Sequence, residues 1–101
     1  MAEIVENKEG FRVIRMSIEE AIHKCEFGFY NVSTNATLLI CDNCNKLMNN
    51  DNEVYYVAVL NRLFCKECYE EWYAHAIRYK EDAKYEERYF RSYANALGIK
   101  L

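Results

Sequence analysis

Proline is absent from the 101 residues, and glycine occurs only three times. That scarcity excludes Pro-rich linkers and argues for helices and strands joined by short turns. No run of about 18 apolar residues exists, which excludes a transmembrane helix. A basic excess is missing too, with 13 Lys and Arg against 16 Asp and Glu. Splitting the chain changes nothing: residues 1–40 hold four bases and six acids, residues 41–101 nine and ten. A generic nucleic-acid binder carries a basic surplus, so bulk steering toward phosphate is not supported. The start, MAEIVENKEG, carries acids and no apolar core, so it does not read as a secretory signal. An intracellular, cytoplasmic chain is the expectation. Aromatic residues, in contrast, reach 15% and include nine tyrosines, too many for a chain that refuses to collapse. A single domain over residues 1–101 is expected, with a core modest enough that a metal or a partner would help it.

The five cysteines carry the most information. Cys41 and Cys44 form one C-x-x-C pair, Cys65 and Cys68 another, and 20 residues separate them. This spacing falls in the range of structural zinc sites. Two intervening residues let a tight knuckle aim both sulfurs at one ion, and the insert is long enough for a hairpin to return the second pair. Two disulfides remain an alternative, but Cys25 would be left over, and a C-x-x-C disulfide closes too small a loop to stabilise much. A thioredoxin-like redox pair is a third reading, with two such pairs and no βαβ pattern counting against it.

The flanking residues fit the zinc reading. Thr37–Ile40 is a short β-prone run that leads into Cys41. Asn45 to Asn52 is rich in Asn and Asp, which tolerate tight turns. Glu53–Leu60 reads as a strand, Asn61-Arg62 as a turn and Leu63–Cys65 as the partner strand. From Lys66 the period becomes helical. Cys68 then falls in the first helical turn, where free amides and the dipole favour a thiolate.

The run C-D-N-C, a hairpin, then F-C-K-E-C-Y-E-E-W resembles a treble-clef zinc finger. Over residues 38–75 it is similar in particular to the zinc module of LIM-type fingers. The resemblance implies one structural Zn²⁺ held by Cys41, Cys44, Cys65 and Cys68. Such knuckles often carry Pro after the first Cys and Gly after the second, where this chain has Asp42 and Asn45. A LIM domain proper binds two zincs through eight ligands, more than this chain offers. No specific role is carried over, because one fold serves many functions. His75 lies two helical turns beyond Cys68, too far along the axis to share its tetrahedron. His75 and His23 are read as ordinary polar groups and Cys25 as a small core residue.

The overall expectation is an α+β fold: a treble-clef-like zinc module at 37–75, an N-terminal support element at 1–36 and a long helix at 66–97. In the support element, Phe11–Met16 reads as a strand, and Ser17-Ile18-Glu19-Glu20 has the capping-box pattern that opens a helix to about Cys25. Residues 26–30 read as a break at Gly28, and the two glycosylation-type triplets at 31–33 and 35–37 as polar turns.

Residues 66–97 contain neither Pro nor Gly, and Gly98 sits where a helix stop belongs. A helical wheel gathers Tyr69, Trp72, Ala76, Tyr79, Ala83, Phe90, Ala94 and Leu97 on one stripe. A helix of this length would span roughly 48 Å. Residues 1–36 must cover the stripe, or the helix must break, or a second copy must meet it, giving self-association. Arg78, Tyr85 and Tyr89 make a candidate protein-binding patch, as Tyr and Arg are enriched at interface hot spots. Lys80, Lys84, Arg88 and Arg91 form a basic row that a nucleic-acid backbone could follow.

An enzyme is not expected. Zinc held by four thiolates has no open position for water or substrate, and no catalytic motif is present. The expected function is a zinc-stabilised protein-protein interaction module, a dimeric adaptor or an inhibitor, working through the aromatic helix. A small nucleic-acid-binding regulator is the alternative. Salt dependence separates the two, since phosphate contacts weaken steeply with salt.

Overall fold

The computed structural model describes all 101 residues, Met1–Leu101. Along the chain the elements are β1 (Glu3–Ile4), β2 (Val13–Met16), α1 (Ile18–His23), β3 (Phe29–Asn31), β4 (Ala36–Leu38), β5 (Val54–Val57) and β6 (Arg62–Phe64). They are followed by α2 (Lys66–His75), a 3₁₀ turn (Lys80–Asp82) and α3 (Ala83–Ala96). The fold is a mixed α/β one. Its centre is an antiparallel sheet in the order β1-β2-β5-β6. The strands β2 and β5 pair Ile14 with Tyr56 and Arg15 with Tyr55. Every residue of β5 is buried, as is all of β2 except Arg15, so the sheet is covered on both faces.

The cover comes from the two main helices. Successive strand residues point to opposite faces. Tyr55 stacks on Tyr69 of α2 with ring centroids 4.5 Å apart, while its neighbour Tyr56 meets Phe27 and Tyr93 of α3 at 5.7 and 4.5 Å. The helices α2 and α3 therefore lie on opposite faces of the sheet. Just before β2 the same alternation recurs, with Phe11 against Trp72 and Arg12 over the ring of Phe90.

This arrangement corrects the expected continuous helix over 66–97. One straight helix cannot cover both faces of a sheet, so the chain leaves the helix at Ala76 and passes round through Tyr79 before α3 begins. Neither Pro nor Gly makes the break; tertiary packing overrides a helical propensity. The expected stripe is corrected with it. Tyr69, Phe90, Ala94 and Leu97 are buried in the chain's own core, Trp72 and Ala76 are half-buried, and Ala83 and Tyr79 are exposed. The stripe residues therefore do not form one continuous exposed seam.

Other expectations meet the structure more closely. Ser17 and Glu20 form the capping box, with Ser17 Oγ accepting from the Glu20 amide at 3.1 Å and Glu20 accepting from the Ser17 amide at 2.9 Å. The predicted strands at 11–16 and 53–60 are present in shorter form as β2 and β5. Residues 29–36, read as a break and turns, instead join the start of the β-prone run at Thr37 and Leu38 in a β3–β4 hairpin that pairs Phe29 with Leu38. Gly28 makes the hairpin possible: its φ is 88°, and a Cβ there would lie 2.5 Å from the Leu38 carbonyl oxygen. No helix of the chain is long and apolar enough to cross a membrane.

Candidate metal centre

The knuckle is built by local turn chemistry. The Asn45 amide donates to the Cys41 carbonyl at 3.0 Å, and Asn45 itself adopts the left-handed backbone at φ 64°, which Asn tolerates better than most residues. Cys41 also closes a small loop, its amide donating to the Lys46 carbonyl at 3.0 Å. Asp42 then fastens the knuckle to β6. Its amide donates to the Leu63 carbonyl at 2.9 Å, and its carboxylate accepts from the Leu63 amide at 2.8 Å. Asn49 does the same on the other side, accepting from Leu39 at 2.8 Å and donating to the Thr37 carbonyl at 2.9 Å.

The β5–β6 hairpin returns the second pair of cysteines. Cys65 is the N-cap residue of α2 and Cys68 lies in its first turn. The Sγ atoms of Cys41, Cys44, Cys65 and Cys68 consequently lie within 4.8 Å of one another. A tetrahedral ion with sulfurs at about 2.3 Å would set them about 3.8 Å apart. Cys44 and Cys65 are 3.9 Å apart, and no cysteine of the chain is in a disulfide. The donor set fits a tetrahedral, thiolate-loving divalent ion, for which zinc is the plausible choice.

Amide donors around the cluster favour negative sulfur, while burial opposes it. Cys41 Sγ accepts from the amides of Asn43 and Cys65 at 3.4 Å each, and the Asn43 side-chain amide donates to Cys68 Sγ at 3.2 Å. Burial opposes ionisation of Cys41, yet the amides of Cys44, Cys65 and Asn43 bring its thiol down to about 7. Burial pushes the Cys65 thiol strongly up. Thiols this close cannot all ionise unless a cation offsets their charge. Asn49 was legible only as part of a turn-rich stretch, Asp42 only as a departure from the knuckle pattern, and Asn43 not at all; their roles as clamp and sulfur donor depend on tertiary geometry.

Of the other candidates, His23 and His75 are exposed and stand outside the four-sulfur group. Cys25 is buried against Met16 sulfur at 3.9 Å, and burial raises its thiol to about 11. Arg78, expected in the protein-binding patch, lies in the break between α2 and the 3₁₀ turn. It is drawn into a double ion-paired contact with buried Glu86, at 2.8 and 3.1 Å, and lies over the Phe11 ring at 5.3 Å. Tyr85 and Tyr89 do stay exposed on α3. In the basic row, Lys84 and Arg88 lie against the Tyr85 ring at 5.2 and 5.9 Å, Arg91 pairs with Glu87 at 3.2 Å, and Lys80 is in the 3₁₀ turn.

Compared with protein families, with curated proteins and with solved structures, the chain matches none of them.

Proposed function

We propose that the chain is a non-enzymatic, zinc-stapled module of treble-clef type that works by binding another protein inside the cell. The observation that carries this reading is the convergence of four sulfurs within 4.8 Å, delivered by a knuckle and by a helix start joined through a hairpin. Cys41, Cys44, Cys65 and Cys68 would hold one Zn²⁺, whose contribution is to fix the knuckle against α2. A site with four protein ligands leaves no position for a substrate, so the ion builds structure. Free thiols in this number also suit a reducing compartment. The exposed tyrosines of α3, Tyr85 and Tyr89, are the expected partner contacts.

Native mass spectrometry tests the metal: one ion per chain is expected, with loss of the folded circular-dichroism signal when a strong chelator strips it. Paired cysteines and no metal would overturn the reading. The clustering of Lys84 and Arg88 on Tyr85 supports a second reading, in which the basic row holds single-stranded nucleic acid. That reading fails if fluorescence anisotropy at low salt shows no binding of labelled DNA or RNA.

A further inference from the structure

The chain carries a cleft that borders the metal centre, with Asp42, Asn43 and Cys68 in its wall, and extends beyond it. It is an open cleft of about 560 Å³ between the knuckle, the β5–β6 hairpin, α2 and the break that separates α2 from α3, a volume in the range of ligand sites. Three exposed apolar side chains converge on it: Leu60 (40% exposed), Ile77 (69%) and Tyr79 (52%). Half-buried Trp72 lies between them in the wall.

The backbone of the break says what kind of occupant suits this wall. From Ala76 to Tyr79 the chain runs without a turn, and both end residues are extended, with ψ 138° at each. The amides of Ile77, Arg78 and Tyr79 and the carbonyls of Ala76, Ile77 and Arg78 make no backbone hydrogen bond. Ala76, Ile77 and Tyr79 line the cleft, and over the last three residues Arg78 turns to Glu86 between Ile77 and Tyr79, the alternation of a strand. The Arg78–Glu86 pair holds this edge in place before any partner arrives, which lowers the ordering cost of binding. The outer edge of β6, by contrast, is already closed by Asp42 at Leu63. At the rim, Arg62 and Glu71 both line the cleft, and neither has an ion-pair partner in the chain.

We propose that this cleft takes an extended segment of a partner protein, which pairs with the Ala76–Tyr79 backbone as an added strand. Its apolar side chains at alternate positions fall on the same side as Ile77 and Tyr79, against Leu60 and Trp72. An acid on the segment meets Arg62 and a base meets Glu71. Main-chain pairing supplies affinity and the alternate side chains supply selectivity. A helix keeps its main-chain groups for itself, and a nucleic acid has no amide ladder to offer. The inference rests on the protein-binding reading and names a surface separate from the Tyr85/Tyr89 face.

The test begins with a phage-displayed library of random 12-residue peptides, selected on the zinc-loaded full chain. Selected peptides are synthesised and titrated while Trp72, the one tryptophan of the chain, reports by fluorescence. The expected peptides alternate apolar and polar residues, shift Trp72 emission, and move the ¹⁵N amide signals of Ile77, Arg78 and Tyr79. N-methylation of alternate peptide amides should lower affinity about tenfold, and of the intervening amides very little. Ile77→Asp, and independently Leu60→Asp on the facing wall, should each lower affinity at least tenfold while Tm and zinc content stay unchanged. A selection that returns no binder overturns the proposal, as does a peptide bound as a helix or insensitive to both substitutions. Displacement of the peptide by a 15-nucleotide single strand with equal affinity does so too. Peptides that map to Tyr85 and Tyr89 and leave Trp72 untouched overturn the cleft while the protein-binding reading stands.

Discussion

The ion pair between Arg78 and Glu86 makes an asymmetric prediction. Glu86 is 1% exposed and accepts two hydrogen bonds, from the Arg78 guanidinium at 3.1 Å and from the Arg12 amide at 2.9 Å, with a second Arg78 nitrogen in ion-pair contact at 2.8 Å. Arg78 has a side chain 31% exposed, so it keeps a route to water. Removing the acid and removing the base are thus unequal changes. Glu86→Ala frees Arg78 to rehydrate and leaves one buried amide without its partner, a loss of about 2–3 kcal/mol. Arg78→Ala strands a buried carboxylate with a single amide donor, at a cost of about 3–5 kcal/mol. It also removes the cation from the Phe11 ring, worth roughly 0.5–1 kcal/mol more. The double variant Arg78→Ala/Glu86→Ala has no stranded charge and should be more stable than Arg78→Ala alone. Urea unfolding of the zinc-loaded chain, followed by Trp72 emission, measures all four corners of the cycle. In thermal melts each kcal/mol should appear as about 4–8 °C. A loss for Arg78→Ala no greater than that for Glu86→Ala, or a coupling below about 0.5 kcal/mol, would refute the reasoning.

Three further outcomes are expected. Asn43→Ala removes the amide donor to Cys68 sulfur and should weaken zinc binding about tenfold, read by competition with a chromophoric chelator. Gly28→Ala places a methyl 2.5 Å from the Leu38 carbonyl at a left-handed φ, so the β3–β4 pairing should be lost from the amide spectrum and stability should fall by about 1–3 kcal/mol. For Glu20, burial opposes ionisation, but bonds from Ser17 and Ala2 hold its carboxyl below the ordinary value. Its folded pKa is depressed, so its contribution is present above the unfolded value of about 4.3 and disappears as pH falls through the folded one. Glu20→Gln should therefore lower stability near pH 7 and lose the difference from the parent chain in acid, in denaturant titrations across pH 3–7.

What could be read in the sequence was whatever is decided within a few residues. The C-x-x-C pairs, the capping box of Ser17 and Glu20 and the β5–β6 hairpin all depend on short spacings, and the structure contains each of them. The β3–β4 pairing was illegible for the converse reason, although Thr37 and Leu38 of β4 fall in the β-prone run. None of the six strand residues is fully buried, so no burial alternation marks the strands, and the decisive fact is the close approach of Gly28 to Leu38. Asn49 looked like one more turn residue, although its side chain joins Leu39 to Thr37.

The helix break shows where periodicity misleads. Tyr69, Ala76, Ala83, Phe90 and Leu97 recur at strict heptad spacing, which looks like a single buried seam. The core uses a different set on α3: Glu86, Phe90 and Ala94, spaced four residues apart, with Leu97 beyond them. A glutamate has no place in a hydropathy stripe, so the wheel assigns the seam to Ala83, which the structure leaves exposed. Glu86 belongs in the core only because Arg78 and the Arg12 amide reach it, and Arg78 can reach it only because the chain has left the helix at Ala76. Break and buried acid thus require each other. In an unbroken helix Arg78 and Glu86 would sit about 12 Å apart along the axis, and the carboxylate would be buried without its cation. The sheet imposes the same break from the other side, since Tyr55 and Tyr56 present opposite faces and each needs an aromatic partner. Two independent demands, one electrostatic and one geometric, thus converge on the four residues from Ala76 to Tyr79 and outweigh the helical propensity of the chain around them.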